Sequence, residues 1–303
     1  VNGIANTVTL TNVSTAALSS TITDSNTVTY TITPGGLGKD PYDKSIPTTS
    51  TSSKSVSLRN SDGSIDLAAP LTIANGFQIK VTDPDRNIDT TARDTFSAQV
   101  KINGVQLPPS IVFKETDNNT GIFLPDLANN KIEIVPVAGN TLTLPSGVSN
   151  VGNIVLNKIV LGSDNKIYVL ASAISEDIDL TITYSDPAAD PSGGENFSIV
   201  RKIQHFAGSI STTTTSVPVT GKAVIEINDM DLNLNPNAVD VYTLTYNTNG
   251  NSPSGAFNGL ADLNIKVNGN TSNIINGSAS IQLVETGNNT GVFRGDLDVS
   301  KLK

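Results

Sequence analysis

Over most of the chain apolar and polar residues alternate at every second position. The runs Thr7–Val13, Thr27–Ile32, Phe77–Thr82, Thr95–Ile102, Ile111–Glu115, Ile132–Val137, Ile154–Val160, Ile178–Tyr184, Ala223–Ile227, Val241–Tyr246, Leu263–Val267 and Ser280–Val284 set apolar residues against Thr, Ser or Lys. This period sends successive side chains to opposite faces of a pleated strand, so each run predicts a strand with one buried face. Pro34-Gly-Gly, Asp62-Gly, Asn103-Gly, Asn268-Gly and Asn276-Gly punctuate the runs with the residues that tight turns need. Only Val169–Glu176 reads as a short helix. Many short strands with regular turns predict an all-β chain of sandwiches. Ile46–Ser53, Ser211–Ser216 and Pro187–Gly194 read as connections, the last as a hinge or long loop.

The pattern is written twice. Lys114–Asp126 reads K-E-T-D-N-N-T-G-I-F-L-P-D and Val284–Asp296 reads V-E-T-G-N-N-T-G-V-F-R-G-D. Upstream, Val81–Asp89 is answered by Ile227–Asn235, with Asp94 and Asp240 the same distance beyond. Weaker matches pair Val1–Val8 with Val148–Val155 and Asn26–Pro34 with Asp179–Pro187. The chain parses as two units, 1–147 and 148–303, each of ordinary domain length.

Composition narrows the chemistry. Charged residues make up 16% of the 303 positions, and the formal charge is −9, a surface that repels nucleic acid and attracts cations. With no cysteine there are no disulfides and no thiolate chemistry. With the single histidine His205, imidazole acid/base catalysis has little to draw on. The acidic residues cluster at turn positions in duplicate, with few aromatics to stack on sugar, so the chain does not read as a glycosidase or another enzyme. No run reaches the roughly 20 apolar residues of a transmembrane helix, and no charged-then-apolar leader opens the chain.

The chemistry that remains lies in the acidic repeat. In an extended strand alternate residues share a face, so Asp83, Asp85, Asn87 and Asp89 would converge their oxygens, as would Asp229, Asp231, Asn233 and Asn235. Asp94 or Asp240 adds a carboxylate, and so does Glu115 or Glu285 if the fold joins the two motifs. Such hard oxygen donors suit calcium. An EF-hand is excluded, because Ile88 or Leu234 stands where that loop requires glycine. The first copy, with Asp89 where the second has Asn235, is expected to bind more tightly. The alternative is that these side chains form Asx turns and cap backbone donors. Gly121 and Gly291 are expected at positive φ, with Phe123 and Phe293 entering the cores.

A strand ending in D-x-D-x-N, then E-T-x-x-N-T-G-[IV]-F, then a strand reaching Y-x-D-P, resembles the tandem immunoglobulin-like repeats of archaeal surface-layer proteins and related archaeal surface filaments. The elements are Asp83–Asn87, Glu115–Phe123 and Tyr184–Pro187, then Asp229–Asn233 and Glu285–Phe293, and the match covers 77–127 and 222–297. The resemblance implies tandem immunoglobulin-like β-sandwich domains in an extracellular, self-assembling, calcium-dependent and glycosylated coat or fibre. Of its sites only the Asp/Asn cluster carries over, and Asn235 departs from the more acidic first copy.

Sequons for N-linked glycans occur at Asn12, Asn118, Asn196, Asn270, Asn276 and Asn288. Asn12, Asn196, Asn270 and Asn276 are the better acceptors, since Asn118 and Asn288 sit in the repeated turns. The surface-layer pattern also permits another phase: a complete module over 68–188, with partial modules over 1–67 and 189–303 that complement each other. Strands of one molecule would then complete the sheet of the next. A non-polymerising surface adhesin or carbohydrate-binding β module is the alternative function.

Overall fold

The structure, a computed structural model, describes residues 7–11, 27–33, 52–57, 61–189 and 194–303. Strands β1 (Thr7–Thr11), β2 (Thr27–Thr33) and β3 (Ser52–Ser57) form an antiparallel sheet, β1-β2-β3. Asn12, Val13 and 46–51 lie outside the described residues.

A second group follows: β4 (Ser64–Leu67), β5 (Ile79–Thr82), β6 (Thr95–Ser97), β7 (Val100–Ile102), β8 (Val105–Gln106), β9 (Val112–Glu115), β10 (Ile122–Pro125), β11 (Ile134–Val137), β12 (Asn150–Val155), β13 (Ile159–Gly162), β14 (Ile167–Leu170), helix α1 (Ala171–Ile174), β15 (Leu180–Asp186) and β16 (Glu195–Arg201). These strands make three sheets, ordered β4-β5-β10-β9-β6, β11-β14-β13-β12 and β16-β15-β7-β8, antiparallel except for the β11–β14 pair. One apolar core joins them, with Ile65, Val81, Phe113, Phe123, Leu161, Val169, Ile182 and Tyr184 among its buried residues, and it extends to Ile203. Position 147/148 falls between β11 and β12, and both strands supply residues to this core.

The last group is a single sheet, β17-β18-β21-β20-β19, built of β17 (Ser209–Thr212), β18 (Lys222–Asn228), β19 (Val241–Tyr246), β20 (Ala279–Glu285) and β21 (Val292–Asp298). It repeats the strand order of β4-β5-β10-β9-β6, and the register repeats too. Ile65 faces Val81 across β4–β5 as Ile210 faces Ile227 across β17–β18. Glu285 follows Asp240 by 45 residues, against 21 from Asp94 to Glu115. The longer segment folds Phe257, Leu263, Ile265, Ile274 and Ile275 over the sheet to close a second core. The all-β expectation is met, and among the described residues no helix is long and apolar enough to cross a membrane.

Several expected elements change shape. Thr95–Ile102 divides at Ala98, whose φ of 61° turns the chain from one sheet into the next, so β6 and β7 lie in different layers. Ile154–Val160 divides at Asn157, φ 59°, into the β12–β13 hairpin. Leu263–Val267 forms no strand, only the bridge Val267↔Asn270. The expected helix at Val169–Glu176 shrinks to α1, because β14 takes Val169 into pairing with both β11 and β13 and Leu170 into pairing with β11, where buried apolar residues fit. Ser211 and Thr212, expected in a connection, end β17, and Ser52 and Ser53 open β3.

Gly121 and Gly291 both have φ of 60°, and Phe123 and Phe293 are fully buried, as expected. A Cβ on Gly121 would lie 3.2 Å from the Asp83 carbonyl oxygen, so a side chain there meets strain and backbone at once. Phe123 carries the first core, stacked edge-on against Phe96 at 5.2 Å. Phe123→Ala is expected to destabilise the fold by about 3–5 kcal/mol in chemical denaturation.

Candidate functional site

The two acidic motifs do not run as extended strands. Asp83 caps a 3-10 turn, Pro84–Arg86, and Asp229 caps Met230–Leu232. In both, the cap Oδ1 accepts from the backbone N–H two residues on, Asp85 or Asp231, at 2.9 Å. The physical reason is local: a short acceptor side chain satisfies the free N–H of a tight turn, and in the first copy Pro84 pre-sets the backbone there. Alternate residues therefore do not share one face.

The remaining predicted ligands are turned inward on the chain itself. Asp94 Oδ2 accepts from Ile88 N and Asp89 N at 2.7 and 2.9 Å, and Asp240 Oδ2 from Leu234 N and Asn235 N at 2.7 and 3.0 Å. Asp89 Oδ1 accepts from Thr91 N, and Asn235 Oδ1 from Asn237 N. Glu115 is buried. Its Oε1 takes Gly121 N at 2.7 Å and Thr120 N, while Oε2 takes Asp94 N at 3.2 Å. Glu285 does the same with Gly291 N, Thr290 N and Asp240 N. The fold thus brings the two repeated motifs together, with each glutamate tying the turn before β10 or β21 to the loop that begins at the capping aspartate.

Asn87 Nδ2 donates to Asn119 Oδ1 at 2.8 Å, and Asn233 Nδ2 to Asn289 Oδ1 at 2.7 Å. The other amide oxygen, Oδ1 of Asn87 and of Asn233, is buried with no hydrogen-bond partner in either copy. A buried acceptor without a donor is costly. Among the described residues no three acidic or imidazole side chains are grouped as a metal's ligand set.

The first copy carries an addition that the sequence motifs did not single out as a site. Tyr184, on β15, donates its hydroxyl to Asp83 Oδ2 at 2.5 Å, and Arg86 Nε donates to the same hydroxyl at 3.2 Å. Arg86 also lies over the Phe96 ring, 5.2 Å from its centroid. Asp186 Oδ2 accepts from Gly63 N, and Asp85 Oδ2 from Ser61 N, both at 2.8 Å. This polar latch joins the start of β4, the acidic turn after β5 and the end of β15, and so clamps one sheet to another. The usable signal was Tyr184-x-Asp186 at the end of a buried strand, a hydroxyl and a carboxylate on the same inward face.

The second copy holds only half of this latch. Phe206 N donates to Asp231 Oδ2 as Ser61 N does to Asp85. Gly208, in the place of Gly63, is exposed where Gly63 is buried.

Electrostatics follow from the burial. Burial pushes the Asp83 carboxyl above its ordinary range, and Asp186 adds to the rise, against the hydrogen bond from Tyr184. Asp85 is raised by burial first, then by Asp83 and Asp186. Asp229 and Asp231 are raised by burial, with Asp229 adding to Asp231. Burial would also raise Glu115, but the N–H groups of Gly121, Asp94 and Thr120 outweigh it and hold its carboxyl below the usual range. The chain matches no known protein-family model and no curated protein.

A carboxyl with a higher pKa folded than unfolded favours the fold when protonated, so its ionisation costs stability at neutral pH and acidification restores it. Glu115 acts oppositely: its contribution is present above the ordinary Glu pKa and is lost as pH falls through its lowered value. The melting temperature is therefore expected to rise as pH drops from 7 toward about 4, and to fall below that. The double substitution Asp83→Asn, Asp229→Asn should flatten the rising limb. A wild-type melting temperature that declines steadily from pH 7 would contradict this assignment.

Proposed function

We propose that the chain is a structural subunit, not an enzyme, that assembles with copies of itself outside the cell, as in archaeal surface layers or surface filaments. One observation carries the reading. Ile210 on the edge strand β17 is 61% exposed, whereas Ile65, at the same register in the first copy, is 6% exposed because β15 and β16 pack over β4. Covering a large aliphatic side chain is worth about 1.5–3 kcal/mol, and an edge strand with an uncovered apolar residue is a template for another chain. A contact of that kind between unlike surfaces does not close on itself, so it builds chains or sheets of subunits.

The extracellular reading is supported by the resemblance and by acceptor geometry. The sequon asparagines Asn196, Asn270 and Asn276 are exposed. Asn118 and Asn288 are held in their turns, donating to the carbonyl oxygens of Thr91 and Asn237. N-linked glycans therefore belong on the first three; Asn12 lies outside the described residues.

For calcium the fit is partial. The carboxylates already accept backbone N–H groups, so a cage of converging side chains is not what the loops offer. What supports a cation is the orphan Asn87 and Asn233 oxygen, duplicated in both copies beside the acidic loops. Calcium held there would stabilise the folded state by mass action.

Light scattering and negative-stain electron microscopy should show growth into polymers as protein concentration rises. A chain that stays monomeric up to its solubility limit would sink the proposal. Excess chelator is expected to lower the melting temperature; an unchanged melt removes calcium from the reading.

A further inference from the structure

Two apolar side chains stand exposed where their repeat equivalents are covered, and they lie in different copies. Ile210 is the first. The second is Ile88, 63% exposed in the acidic loop of the first copy. Its equivalent in the second copy, Leu234, packs against the first core and shares a cleft with Leu127, Ala128 and Lys131. Leu234 therefore makes, inside the chain, a contact from one copy to the unit before it. Ile88 has the same position in its loop and lacks that cover.

The strands that cover β4 have sequence relatives in the N-terminal sheet. Asn26–Pro34 reads like Asp179–Pro187, which sets β2 in the place of β15. Each of these strands pairs antiparallel with the one that follows it, β2 with β3 and β15 with β16. Connectivity matches as well. β16 covers β4 and then runs through 202–208 into β17 of the following copy. β3 runs through 58–63 into β4. By that order, β2 and β3 are joined to the first copy as β15 and β16 are joined to the second, so the surface they fit is a β17-type surface preceding their own β4. Within one chain β17 comes after it; in a second copy it is available.

The receiving surface keeps an acceptor whose counterpart in the first copy, Asp83 Oδ2, is filled by Tyr184. Among the described residues Asp229 Oδ2 has no donor, its Oδ1 being taken by Asp231 N. Phe257 packs beside Tyr242 at 5.1 Å, much as Tyr184 packs beside Phe96 at 5.7 Å, but it brings no hydroxyl. The turn Val299–Lys301 follows β21 as Ala128–Asn130 follows β10, which offers Ile88 the kind of seat that Leu234 uses.

Resting on the self-assembly reading, we propose that the occupant is a second copy of this chain, joined head to tail. β2 and β3 of one molecule lie across β17 of its neighbour, over Ile210. Ile88 of the first molecule seats against the Val299–Lys301 end of that same neighbour. The joint between molecules thus repeats the joint between the two copies within a molecule.

The test uses the full chain in sedimentation velocity across a concentration series. Ile210→Glu and Ile88→Glu, both at exposed sites, should each weaken association at least tenfold and leave the melting temperature of the monomer unchanged. Each variant spoils only one end, so an equimolar mixture should form heterodimers through the two intact ends and grow no further. Wild-type chain that assembles while both Glu variants assemble equally well overturns this joint and leaves self-assembly standing. Wild-type chain that never associates overturns both. Mixed Glu variants that remain monomeric overturn the pairing of these two surfaces.

Discussion

A β-sheet with an apolar face has to be covered, and most of what this chain does follows from how each copy meets that need. In the first copy Ile65, Val81, Phe113 and Phe123 are sealed by the layer that carries Ile182 and Tyr184. In the second the same five-stranded order is only partly sealed, by a longer connection that brings Phe257, Leu263 and Ile274 over the β19 side. The β17 side is left with Ile210 in solvent. One strand order, covered in two ways, yields one closed unit and one with an open end.

The acidic loops matter because of where their hydrogen bonds go. Glu115 and Glu285 each gather backbone N–H groups from two separate segments, so a buried carboxylate holds a turn and a loop in one geometry. Charge-assisted bonds of this kind exceed neutral ones in strength. Burying a carboxylate without such donors would cost several kcal/mol, which is why the glutamate and its ring of amides occur together in both copies. Asp83 is in a different position: its second oxygen depends on Tyr184 and Arg86, side chains from elsewhere in the fold.

Period-two alternation was enough to read the all-β class and most strands, because inward residues such as Leu180, Ile182 and Tyr184 carry it without a break. It could not reveal that Ala98 turns the chain between layers, since no Gly or Pro marks that bend. Nor could it place β17, whose Ser-Ile-Ser-Thr offers a single apolar residue. The acidic motif was legible as a site of concentrated oxygen atoms, but its geometry was not. Extended spacing and a 3-10 turn use the same letters, and the choice rests on cap bonds two residues away. The latch from Gly63 to Asp186, 123 positions apart, lies beyond any local pattern.

The 3-10 turn gives its loop two directions. Its capping aspartate bonds inward to the turn's own backbone, while the residue five positions on, Leu234 in the second copy, points away and packs on the preceding unit. The hydrogen bonds from Asp240 to Leu234 N and Asn235 N fix that outward residue at its root. A side chain so anchored loses little further conformational freedom on contact, which favours a stiff boundary over a flexible linker. Ile88 is held identically by Asp94. The rigidity that the acidic loop gives to the boundary inside the chain is therefore already built into the first copy, at a surface that faces solvent.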